Sequence, residues 1–162
     1  AFDVGDVDEA ASSFPELNFI VEHVGLPRLD DFCWIATQEP NVYGGIAVAA
    51  PMALGRPKRF SEIMAELLFW LGEDRLTFGS DYGIWDPDWL IEAVMETELS
   101  DEQVEEYGVE FDLEAKKKLM GENIAELYDI DIEERKKQLS TDAISQEFGL
   151  GDTYDAAAPA DD

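Results

Sequence analysis

The chain has 162 residues, 46% of them hydrophobic and 11% aromatic, enough for one domain-sized core and too apolar for a disordered segment. Against 38 Asp and Glu stand only 11 Lys and Arg, a formal net charge of -27 that argues against DNA, RNA and anionic membranes as partners and predicts strong self-repulsion in dilute buffer. Residues 1–85 hold 14 acids and 5 bases and residues 86–162 hold 24 and 6, so an acidic tail alone does not account for the excess. Acid spread over an ordinary core fits a salt-rich cytoplasm, where screening relieves the repulsion. The single cysteine, Cys33, leaves no internal disulfide or thiolate metal cluster and fits a reducing compartment. No signal peptide is read. The longest apolar run, Ile46 to Leu54, is interrupted by Pro51 and falls well short of the roughly 20 residues that span a bilayer. The expectation is a cytoplasmic protein, and a start at Ala1 fits a processed chain, a trimmed one or a piece of something longer.

In chain order, the acidic stretch "DVDEAASSF" reads as a short helix stopped by Pro15. "LNFIVEHVG" follows as a nearly continuous apolar strand closing on His23 and Gly25, the kind buried on both faces of a parallel sheet. "LDDFCWIATQEP" puts Phe32, Ile35 and Ala36 at helical spacing until Pro40. A second strand, "NVYGGIAVA", leads to the helix "RFSEIMAELLFWLG", with Ile63, Leu67, Trp70 and Leu71 on one face and Gly72 as its stop. The third strand is "RLTFGSDYG". Strand, helix, strand, helix, strand with short connections predicts right-handed parallel crossovers and an α/β fold. "WDPDWLIEAVMET" reads as a helix capped by Asp86 with Pro87 in its first turn, and "DLEAKKKLMGENIAELYDI" as another capped by Asp112. Residues 131–148 read as a charged surface helix and 149–162 as an acidic disordered tail.

His23 and Asp81 occupy equivalent places: each ends an apolar strand and each is followed within two residues by glycine. In parallel α/β sheets the site lies at the C-terminal strand ends, which puts both on one face. Histidine supplies a neutral nitrogen or a proton-transfer group, and aspartate a hard oxygen ligand or general base, a pair suited to hydrolysis or decarboxylation at a metal. The structural alternatives are a hydrogen-bonded His23 and an Asp81 that only caps its turn. Cys33 reads as core filling, and Trp85 with Trp89 as a packing edge rather than a substrate platform. Arg28 reads as a binder of an anionic substrate or as a solvated cation. Glu22, by pleat alternation, points away from His23 and is a poor partner for it.

"FPELNFIVEHVGLPRLDD", "FGSDYG" and "KKKLMGENIAELYDI", in that order and separation, resemble the C-terminal part of the amidohydrolase-related metal-dependent hydrolases, in the branch that includes decarboxylases of aromatic and muconate-type acids. The resemblance runs from about Phe14 to Ile130. It implies a (β/α)8 TIM-type barrel of which this chain holds about strands six to eight, spanning residues 1–130, with a helical insertion at about 84–112 and a helical C-terminal extension. It also implies that His23 contacts substrate or activated water and that Asp81 binds a divalent metal, zinc before manganese or iron; Arg28 and Trp85 stand beside these as substrate-contact candidates from the residues alone. The family's first-strand His-x-His pair and fifth-strand histidine have no counterpart, since His23 is the only histidine.

A catalytic zinc needs about three protein ligands and a barrel about eight strands, so the resemblance calls for the missing ligands and an N-terminal barrel half, in the same gene or on another chain. The implied substrate is a small carboxylate or amide and the implied assembly a homo-oligomer. The segment after Asp81 reads as a lid or a subunit contact. Set against this enzyme is a non-catalytic reading: an acidic assembly subunit, or a truncated remnant of such a barrel.

Overall fold

The computed structural model describes residues 3–149. The chain divides into two compact units, Ala1–Asn123 and Ile124–Asp162. The first is built from α1 (Gly5–Ser13), β1 (Phe19–Glu22), α2 (Leu29–Gln38), β2 (Val42–Gly45), α3 (Met52–Gly55), α4 (Pro57–Leu71), β3 (Leu76–Thr77), α5 (Pro87–Glu96), α6 (Asp101–Tyr107) and α7 (Leu113–Lys117), the last running into a π turn at Lys118–Glu122. The three strands form one parallel sheet in the order β1-β2-β3, so the fold is α/β with helical crossovers, as the alternating pattern predicts. No helix among the described residues is long and apolar enough to cross a membrane.

The helices begin and end where their sequences provide caps. Pro87 opens α5 while the Asp86 carboxylate accepts the Asp88 N–H, and Asp112 accepts the Ala115 N–H at the start of α7. Ser100 and Gln103 form a reciprocal capping box on α6, which ends at left-handed Gly108. Helix α4 opens with Pro57 and stops at Gly72. Its Ile63 and Leu67 are fully buried, together with Phe60 and Met64, and Phe32 of α2 is buried beside them in the same core. Burial of side chains of this size contributes roughly 1.5–3 kcal/mol each.

The sheet has two unlike faces. A Cβ on Gly44 would stand 3.1 Å from both the Phe32 ring and Val24, so Gly44 lies against α2. By pleat alternation its neighbours Val42, Val21 and Leu76 share that face, whereas Ile20, Glu22, Tyr43, Gly45 and Thr77 share the other. At the N-terminal end of the sheet, Arg75 Nη1 donates to the Ala36 carbonyl at 2.6 Å and to those of Glu39 and Val42 at 3.3 Å. Asn123 Nδ2 donates to the carbonyls of Glu73 and Leu76 at 2.7 and 2.8 Å, and Asn41 Nδ2 to those of Leu17 and Ala11 at 2.8 and 3.2 Å. These side chains satisfy carbonyls of helix ends and loops together with those of Val42 and Leu76 in the strands.

The strands are shorter than their apolar runs. β1 stops at Glu22 because His23 and Val24 turn to φ 65° and 46°, which no extended strand tolerates. β3 has two residues because the Phe78 N–H donates to the Leu119 carbonyl of the π turn, 2.9 Å away, instead of continuing the ladder. β2 ends at Gly45, and the apolar residues after it, Ile46 to Ala50, form turns rather than strand.

In the second unit, α8 (Asn123–Leu127) begins at the boundary, and α9 (Ile132–Thr141) and α10 (Ala143–Phe148) follow. The single helix expected over 131–148 is two, because Asp142 leaves helical geometry at ψ 161° and accepts the Ser145 N–H as a new cap. Asp131 caps α9 through the Glu134 N–H. The tail expected at 149–162 lies, after Gly149, outside the described residues.

Candidate functional site

The parallel sheet brings the C-terminal ends of β1 and β3 to one edge, with β2 between them. His23 immediately follows β1 and Asp81 stands four residues beyond β3. With strands about 4.8 Å apart, β1 and β3 are separated by about 10 Å. The two residues share an unusual backbone: φ is 65° at His23 and 50° at Asp81, both left-handed without being glycine. Val24, β-branched, also lies at φ 46°. Residues held in this region cost of order 1–3 kcal/mol and cluster at functional sites, where the surrounding fold fixes them.

The fold supplies that support. Val24 is fully buried, and Gly25 at φ 69° sits so close to α2 that a Cβ there would stand 2.7 Å from Phe32 Cβ and 3.0 Å from Val4 Cγ1. On the β3 side, a Cβ on Gly79 would stand 3.1 Å from Ala47 Cβ, so the loop leaving β3 lies directly against the loop leaving β2.

His23 is half-buried, and its Nδ1 is fully buried without a hydrogen-bond partner among the described residues. A buried ring nitrogen left unpaired costs the desolvation of a polar group, so it is either a strained orphan or the acceptor for a ligand or donor. Asp81 is exposed and takes no part in the ion pairs of the described residues. Arg28 is already engaged: its Nε lies 2.5 Å from Asp31 and its Nη1 3.0 Å from Asp3, and these partners, the Asp31 hydrogen bond foremost, raise its pKa above the ordinary value. Two acids holding one guanidinium leave it no net charge to offer an anion. Trp85 and Trp89 are 40% and 61% exposed.

Glu22, expected to be a poor partner for His23, makes no hydrogen bond to the buried His23 Nδ1. Alternation compares residues within one strand, and His23 has already left the strand at φ 65°. Glu22 itself stays in register opposite Gly45 on the face turned away from α2, and its carboxylate lies where a Gly45 Cβ would be, with Oε2 2.5 Å from that position. Glu22 and His23 both line a cavity of about 290 Å³ together with Asp3, Val4, Val7 and Val21. Larger cavities of about 430 and 750 Å³ lie among α3, α4, α5 and α6.

Of the candidate chemistry, Glu22 ends β1, His23 follows it, and Asp81 lies in the segment that leaves the C-terminal end of β3. The donors fall short of a complete metal centre: among the described residues no group of three or more His, Cys, Asp or Glu is placed to hold an ion, and a catalytic zinc takes three protein ligands. What the edge offers on its own is a ring nitrogen for proton transfer and two acceptor carboxylates.

Comparison with protein families matches the chain to the model described as amidohydrolase over residues 1–130. Comparisons with curated proteins and with solved structures find no match.

Proposed function

Since this chain belongs to the amidohydrolase family, we propose that it is the part of a metal-dependent (β/α)8 barrel enzyme that carries about strands six to eight and contributes His23 and Asp81 to the active site. Such enzymes hydrolyse C–N or C–O bonds or decarboxylate small acids, and the family reading applies to either. The observation that supports this reading best is the shared left-handed backbone of His23 and Asp81 at the C-terminal edge of one parallel sheet. β1 and β3 each have one edge unpaired among the described residues, which is how three consecutive strands of a barrel stand when their neighbours lie elsewhere.

In this reading Asp81 supplies one oxygen ligand to a divalent metal, zinc in the first instance, and the remaining ligands come from the N-terminal barrel half, in the same gene or on another chain. His23 presents its ring to the substrate as a proton-transfer group. The insertion at about 84–112, with Trp85 exposed near its start, covers the substrate or contacts a second subunit of a homo-oligomer. In a cytoplasm rich in salt, screening of the charge of -27 keeps the chain folded.

The test is Asp81→Asn in the complete enzyme, which keeps the shape of the side chain and removes its charge. Turnover is expected to fall at least about a hundredfold, in line with the loss of a group that acts at the reacting centre, with the far-UV circular dichroism unchanged. Full activity in a folded Asp81→Asn protein contradicts the assignment.

A further inference from the structure

We infer that the exposed aromatic row on the outer faces of α2 and α4, with the acidic groove beside it, is a docking surface for a basic segment, rich in Lys or Arg, of a partner protein. The inference goes beyond the proposed function, since it concerns the helix faces opposite the buried ones and not the ends of the strands.

Four rings lie in contact across three helices. Trp34 of α2 and Trp70 of α4 have ring centroids 6.1 Å apart at 75°, Phe69 and Trp70 5.1 Å apart at 84°, and Phe69 and Tyr107 of α6 6.1 Å apart at 72°. These are edge-to-face pairs, an arrangement aromatic rings prefer. The row is nonetheless open to solvent: Trp34 is 61% and Phe69 51% exposed, on the sides of their helices opposite the buried Phe32 and Ala36 and the buried Met64 and Leu71. Single apolar side chains on a surface are ordinary, whereas a contiguous row of them marks an interaction site. Glu66 fixes the shape of this one: one carboxylate oxygen accepts the Trp70 Nε1–H and the other the Tyr107 hydroxyl, each at 3.0 Å. Rings held in advance lose little freedom when a partner binds.

The chemistry of the occupant follows from the charge beside the row. The cavity of about 750 Å³ is lined by Tyr107 and by Glu62, Glu98, Glu102 and Glu106, set against one cation, Lys58. Glu62 is paired with Arg59, whereas Glu98, Glu102 and Glu106 enter none of the ion pairs of the described residues. A guanidinium or ammonium meets carboxylates in the groove and rings along the row, and both attract it. A second copy of this chain fits less well, because in a symmetric pair the same patch faces itself, acid against acid.

The test titrates the full chain into a fluorescein-labelled peptide of repeated Arg-Leu-Lys units, followed by fluorescence anisotropy, beside the same peptide with Glu in place of Arg and Lys. Molar KCl shortens the Debye length to about 3 Å, so attraction to the acidic surface at large is screened and direct contact remains. Wild type is expected to bind the basic peptide and not the acidic one. Trp34→Ala and Phe69→Ala are each expected to weaken that binding at least about tenfold, as the loss of an aromatic anchor does. Glu102→Gln combined with Glu106→Gln is expected to weaken it roughly threefold. Glu133→Gln combined with Glu134→Gln removes the same charge from α9 and should leave the affinity unchanged.

Unchanged affinity in both aromatic variants, each folded by circular dichroism, overturns the row as the anchor. A loss in the α9 variant equal to that in the α6 variant shows attraction to charge in general and overturns the groove. No binding of the basic peptide, or equal binding of the acidic one, overturns the whole inference. Sedimentation velocity of the chain alone tests the other occupant: a dimer that Phe69→Ala dissociates assigns the row to a second copy and overturns the basic partner.

Discussion

Gly25→Ala tests whether the turn after β1 is held rigidly by packing. The substitution adds one methyl group at φ 69°, where an L-residue costs about 1–2 kcal/mol. The same methyl would stand 2.7 Å from Phe32 Cβ and 3.0 Å from Val4 Cγ1. Phe32 is fully buried against the sheet and cannot withdraw without disturbing Gly44, so an overpacking cost of about 1–3 kcal/mol is added. The sum is about 2–5 kcal/mol. Gly108→Ala is the control: φ is 66° there too, but no heavy atom lies within 4 Å of the added methyl, and the cost should stay at about 1–2 kcal/mol. Both variants are unfolded with urea in molar KCl and followed by far-UV circular dichroism. A Gly25→Ala midpoint equal to that of Gly108→Ala would refute the reasoning, because it would mean that Phe32 and Val4 move aside freely and the turn carrying His23 is not held by the core.

Asn123→Ala should destabilise by roughly 1–3 kcal/mol in the same assay, since it removes the side-chain donor to the Glu73 and Leu76 carbonyls at a residue only 4% exposed; an unchanged midpoint would show that water replaces both bonds. The charge of -27 predicts a midpoint that rises steadily from low to molar KCl, and equal stability at the two ends would exclude an adaptation to salt. Burial pushes the Cys33 thiol up from 9.0 to about 12, with Glu66 and Asp30 adding to it. Between pH 9 and 12 the unfolded chain therefore loses this proton while the folded one keeps it, so this group's contribution to stability falls as pH rises. Cys33→Ala should flatten the loss measured over that interval, and identical slopes in the two proteins would count against a sealed site for the thiol.

How much of this was legible in the sequence depends on which residues set each feature. The order of strands and helices was, because Ile63, Leu67 and Leu71 recur at helical spacing, and because Asp86, Asp112, Pro87 and Gly72 are local signals that act through the backbone of their own neighbours. The ends of the strands were not. β3 stops where the Phe78 N–H turns to Leu119, a residue 41 positions away that no local pattern announces. The break at Asp142 was visible as a capping residue inside a charged run, but helix periodicity outweighed it. His23 and Asp81 could be placed at strand ends from their glycine neighbours, whereas their left-handed backbone follows from how the turns pack against Phe32 and Ala47. What alternation could not say is where the Glu22 side chain goes: Gly44-Gly45 inside a strand marks a close approach by something else, and for Gly45 it is the Glu22 carboxylate.

The central claim, that Asp81 belongs to a metal site completed by residues outside those described, is tested most directly by metal content. The complete enzyme and its Asp81→Asn variant are dialysed against molar KCl, which strips ions held only by surface acid, and analysed by mass spectrometry alongside circular dichroism. The account predicts about one equivalent of divalent metal in the wild type, as a single catalytic centre requires, and its loss from a variant that remains folded. Wild-type metal content in folded Asp81→Asn would contradict it.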